Sequence, residues 1–132
     1  MKRVFGACLV LSMALFLFGG MALAADPHAG HAAAPAAASK AVTGEIVDLS
    51  CYFGHGAKGA GHKECAANCV AKGGPMGLVT DKGQLYVLTM NHDNEDAFNT
   101  AKKHAGDKVK VSGPVSTKNG TKALEVNGVE TI

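Results

Sequence analysis

Cys51, His62, Cys65 and Cys69 are the residues of this chain whose types and spacing best suit chemistry. In the run HKECAANC, His62, Cys65 and Cys69 stand at i, i+3 and i+7. On a helix these positions fall within roughly 60° of one another, so one face offers an imidazole and two sulfurs. Cys51 lies upstream, and the glycine-rich stretch between lets it fold back towards that face. The resulting Cys3His set matches a tetrahedral zinc shell. The same soft donors suit Cu(I). His55 and Met76 are additional candidate ligands close in sequence, and Met90 and His92 flank a later strand.

A disulfide is the competing chemistry. Cysteines in an oxidising compartment pair by default. Cys51 with Cys65 or Cys69 would staple the loop to the preceding strand and leave one thiol over, for electron transfer or a mixed disulfide with a partner protein. A Cys65–Cys69 bridge would strain or bend a regular helix, because its two Cβ vectors run nearly parallel. Metal site and disulfide-plus-thiol both stay open at this point. Other chemistries fit less well. Covalent haem needs Cys-x-x-Cys-His, and here Cys-x-x-x-Cys is followed by Val70. A Cys51–His55 nucleophile pair lacks an acidic orienter and an evident oxyanion hole. No catalytic residues are assigned, and the expectation is a protein that is not an enzyme.

The rest of the chain must position these groups. Residues 1–24 read as a secretory signal peptide: basic Lys2 and Arg3, an apolar run from Val4 to Leu23, and an A-x-A site at Ala22-Leu23-Ala24. That implies a periplasmic or secreted protein. Cleavage removes Cys8 from the 4 cysteines, leaving an odd number. It also removes Lys2 and Arg3 from 13 basic residues, which balances the remainder against 11 acidic ones. Balanced charge argues against nucleic acid as a partner. No second long apolar stretch follows, so no membrane span is expected after processing. The expected partners are a metal ion and a periplasmic protein.

Residues 25–40 are alanine- and proline-rich and read as a disordered linker, with His28 and His31 as solvated members. Residues 41–132 carry strand and helix patterns. Strands are predicted over 41–49, 76–80, 84–90, 108–116 and 121–126, the last with a tail that extends it. Helices are predicted over 62–72 and after Asn94, each closed by glycine. Residues 50–61 are too glycine-dense to read as regular structure. Five strands with a helix between the third and fourth is the order of the OB-fold, a small partly open barrel. The fold expected is mainly β with two short helices: a five-stranded OB-fold-like barrel with a Cys/His-rich helical insertion between strands one and two. Tyr52 and Phe53 are expected to cover the loop, and Tyr86 and Phe98 to join the core.

The segments Asp48-Leu49-Ser50-Cys51-Tyr52, His62-Lys63-Glu64-Cys65-Ala66-Ala67-Asn68-Cys69 and Gly74-Pro75-Met76-Gly77 carry a resemblance. The chain resembles small exported bacterial OB-fold-like proteins that share Cys-Tyr, a glycine-rich loop, His-x-x-Cys-Ala-x-x-Cys and Gly-x-Pro-x-Gly. The resemblance spans the ordered domain and brings little function with it. A weaker similarity is to periplasmic copper-carrier OB-folds, which bind Cu(I) through His, Met and Trp. This chain has no Trp, so fold and compartment are shared and the ligand set is not.

Overall fold

The computed structural model describes residues 38–132. The expected leader, Cys8, and most of the expected linker with His28 and His31 lie outside the described residues. Strand β1 (Ser39–Asp48) begins two residues before the expected domain boundary. It is followed by α1 (Leu49–His55), a 3-10 turn at Ala60–His62 and α2 (Lys63–Ala71). Then come β2 (Met76–Val79), β3 (Leu85–Met90), α3 (Glu95–Lys103), β4 (Lys108–Lys118), β5 (Thr121–Val126) and β6 (Gly128–Thr131). Among the described residues no helix is long and apolar enough to cross a membrane.

The strands pair in the order β1-β2-β3-β5-β4, and β1 also pairs with β4, which closes the barrel. All these pairings are antiparallel except β3 with β5, which is parallel. This is an OB-fold-like barrel with one additional strand. β6 extends the β5 side of β4, with a one-residue shift between the Val115–Leu124 and Ser112–Gly128 pairs. Asn127 sits at that shift and donates its N–H to the Ser112 carbonyl at 2.8 Å. The geometry is that of a bulge inside one bent strand.

Alternation along the strands sorts side chains to two faces. Ile46, Leu78, Leu88, Val109, Val111, Leu124 and Val126 fill the barrel, and Ala66 and Val70 of α2 and Ala101 of α3 plug it. Tyr86 and Phe98 pack at its margin, as expected. The neighbouring residues Val47 and Val79 face outward, where Leu49 and Tyr52 of α1 cover them.

Helix α1 corrects the expectation of an irregular 50–61 and brings the α-helices among the described residues to three. Its cause is local. Asp48 caps the N-terminus, its Oδ1 accepting the Cys51 N–H at 2.8 Å. Gly56 closes the C-terminus with φ 70°, where its N–H reaches the Tyr52 carbonyl at 2.8 Å. The glycine count hid about two turns of helix between two good caps.

The N-terminus of α2 is fastened to the α3–β4 connection by Lys63 Nζ and Asp107 Oδ1 at 2.6 Å. Lys63, and then His104, hold the Asp107 carboxyl below its usual 3.8. Its contribution is therefore full above that ordinary value and is lost as pH falls through the lower folded value. Both side chains are partly solvated, so Asp107→Asn should cost less than about 1 kcal/mol at neutral pH. In urea titrations, the gap between the variant and the natural chain should close as pH falls below the ordinary carboxylate value and through the lowered one. A gap that persists in acid would show that Asp107 acts through its shape and not its charge.

Candidate metal centre

The insertion between β1 and β2 delivers three sulfurs to one point. Cys51 comes from the second half-turn after the Asp48 cap, and Cys65 and Cys69 from successive turns of α2. Their Sγ atoms all lie within 4.8 Å of one another. Cys51 Sγ and Cys65 Sγ are 3.9 Å apart. All three are free thiols, with Cys65 exposed and the other two half-buried.

That separation has chemical meaning. A disulfide requires about 2.05 Å between sulfurs. A tetrahedral zinc with bonds of about 2.3 Å places its sulfurs about 3.8 Å apart, and a trigonal ion with similar bonds places them about 4.0 Å apart. The observed edge fits either geometry. The donor set is soft and suits zinc or Cu(I).

The loop between α1 and α2 is held down so that the two cysteine-bearing helices meet. Gly59 donates its N–H to Glu45 Oε1 at 2.5 Å, and Ala57 is buried beneath. Behind the sulfurs, the return to β2 passes close: Gly74 N–H reaches the Cys69 carbonyl at 2.9 Å, and Leu49 N–H reaches the Pro75 carbonyl at 2.8 Å. A Cβ on Gly74 would lie 2.5 Å from Asp48 Oδ2 and 2.8 Å from the Cys69 carbonyl oxygen. Only glycine lets this segment seat against both.

Asp48 is the residue that sequence reasoning left without a role. It is 2% exposed. Its Oδ2 is buried with no hydrogen-bond partner. The carboxylate beside the Cys51 thiol, with Cys65 as the next cause, pushes that thiol up to about 12. The signal for Asp48 was present in the sequence as a helix cap, Asp48 at one end and Gly56 at the other.

The other sequence-predicted ligands divide. His62 is not on the helix, because α2 starts at Lys63 and His62 ends the 3-10 turn with φ −113°. The i, i+3, i+7 register therefore holds for Cys65 and Cys69 alone. His62 still walls a cavity of about 10 Å3 together with Cys51, Cys65, Asp48 and Lys58. Among the described residues no fourth His, Cys, Asp or Glu joins the sulfur trio. His55 stands exposed at the end of α1, its ring 5.7 Å from that of His62. Met76 is buried in the barrel core. Met90 and His92 belong to the β3–α3 side of the chain. Tyr52 packs on Val47, Leu49 and Val79 outside the barrel, and Phe53 is 70% exposed, so the aromatic pair does not form the cover expected over the loop. No protein-family model, curated protein or solved structure matches this chain.

Proposed function

We propose that this is an exported, non-enzymatic binding protein of the periplasm that holds one soft metal ion, zinc or copper, on the thiolates of Cys51, Cys65 and Cys69. The observation that carries the reading is the convergence of three sulfurs within 4.8 Å. Two separate helices supply them, so the fold as a whole creates the trio. His62, on the wall of the adjoining cavity, is the imidazole available to a Cys3His shell. Binding must displace the proton that Asp48 and Cys65 help retain on Cys51. Affinity therefore rises with pH, by up to tenfold per unit for that one proton.

The 3.9 Å approach of Cys51 to Cys65 also supports a second reading, a redox module with one disulfide and Cys69 as its free thiol. One sample separates them. The protein is purified anaerobically from its native compartment, its zinc and copper are quantified, and its free thiols are counted after denaturation. One ion with three alkylatable cysteines in the processed chain supports the metal reading. No ion, a mass lower by two hydrogens and one alkylatable cysteine supports the redox reading and rules out the first.

A further inference from the structure

We propose that His55 and His62 form a second, exchangeable site for a divalent ion of the zinc or copper type, at the rim of the sulfur trio. The pair stands on its own geometry, and its role as the place where an ion is taken up or given away rests on the three-thiolate reading. The two imidazole rings lie 5.7 Å apart, centre to centre. With a metal–nitrogen bond of about 2.05 Å and a ring centre about 1.15 Å behind each nitrogen, two imidazoles on one ion stand about 5.2 Å apart at the tetrahedral angle and about 6.4 Å apart in line. The observed spacing falls inside that range. His62 stands outside the sulfur trio. Among the described residues, the one group of three His, Cys, Asp or Glu donors close enough to share an ion is Cys51, Cys65 and Cys69. The imidazole that faces His62 is that of His55.

The elements that supply the sulfurs also set the pair in place. His55 ends α1 about one turn after Cys51, and residues at i and i+4 share a helix face. His62 ends the 3-10 turn that leads into α2, and it walls the small cavity beside Cys51 and Cys65. The segment between the two histidines is pinned. Gly56 and Gly59 turn the chain with φ 70° and 80°. Ala57 is buried, Glu45 accepts the Gly59 N–H, and the His62 N–H reaches the Gly59 carbonyl at 2.9 Å. A loop fixed in this way presents two ligands without the ordering cost that a free loop meets on binding. Imidazole suits zinc, copper and nickel. With two protein ligands in place of three or four, an ion here is held less tightly than on the thiolates. His55 is exposed, so solvent reaches the ion. It therefore leaves on dilution while a thiolate-bound ion stays. Such a site suits the step at which an ion enters or leaves the trio.

Cobalt counts both positions. Every form carries His28→Ala and His31→Ala, which removes the other closely spaced histidines of the sequence. The reduced full chain is titrated with Co2+. Its thiolate-to-cobalt absorption bands are followed, and bound cobalt is counted by equilibrium dialysis. The bands should saturate at about one cobalt per chain while the dialysis count climbs to about two. His55→Ala should keep the bands and weaken the second cobalt by about tenfold or more. His62→Ala should weaken the second cobalt as much, and His62→Gln takes its place if the alanine form does not fold. A parent chain that stops at one cobalt overturns the proposal, and so does a second cobalt that survives in His55→Ala. A change of the thiolate bands in His62→Ala, with His55→Ala silent in both readouts, would put His62 in the Cys3His shell and overturn the pair while the three-thiolate reading stands. Absence of thiolate bands in every form would remove that reading instead. A cobalt that still depends on both histidines would then support the pair alone.

Discussion

Replacing Cys51 with serine is expected to weaken zinc binding by more than about a hundredfold, because losing a coordinating thiolate exceeds the 10- to 100-fold cost typical of outer partners. The thermal consequence is larger than the substitution's own. A ligand at about a thousand times its dissociation constant adds about 4 kcal/mol to folding. For a domain near 100 residues each kcal/mol moves the melting temperature by about 4–8 °C. Zinc should therefore raise the natural chain's melting temperature by roughly 16–32 °C, and Cys51→Ser should forfeit most of that rise. Without zinc the variant should melt close to the natural chain. The cap of α1 uses the Cys51 backbone N–H, which serine retains, and the Cys51 side chain is only half-buried. Calorimetry with and without zinc checks both halves. An equal loss in the two conditions would assign Cys51 a packing role and remove it from the metal shell.

The Cys51 case also shows where sequence alone is informative and where it stops. Strand alternation made β4 and β5 readable, since Val109, Val111 and Leu124 face the core and their neighbours do not. The strand order then implied a barrel, and the β1–β4 pairing completes it. The Cys65 and Cys69 pair was legible because helical register is local and both residues lie inside one capped helix. His62 was misplaced for the same local reason. Glycines 59 and 61 favour a 3-10 entry turn, and α2 starts one residue later than its polar run implies. Helix α1 was hidden because glycine density was weighed above the Asp48 cap, and a cap that bonds two residues beyond the helix start outweighs a single interior Gly54. The unpartnered Asp48 Oδ2 had no sequence signal at all. It depends on Gly74 approaching from a strand connection more than twenty residues away, and such contacts follow from tertiary packing.

The barrel and the metal centre are expected to unfold as one unit, and Leu124→Ala tests this. Leu124 is fully buried, and its backbone pairs antiparallel with Val115 of β4 and parallel with Leu88 of β3. It stands in the barrel wall between β3 and β4, so shortening it leaves a cavity bounded by two strand pairings that have little freedom to collapse. Such a change costs about 2–5 kcal/mol, a large fraction of the 5–15 kcal/mol that holds a domain of this size. The melting temperature should fall by at least about 8 °C. The cysteine-bearing helix is not a separate module. Ala66 and Val70 of α2, which flank Cys65 and Cys69 in sequence, belong to the same buried cluster as Leu124. Loss of the barrel core therefore removes the surface on which two of the three sulfurs are held. Zinc should add nearly the same increment to Leu124→Ala as to the natural chain, because the two effects act at separate places on one folding equilibrium and add. Unfolding should remain a single transition in both metal states. A second transition that appears only with zinc would mean that the ion holds the insertion together on its own, and would detach the metal centre from the barrel that presents it.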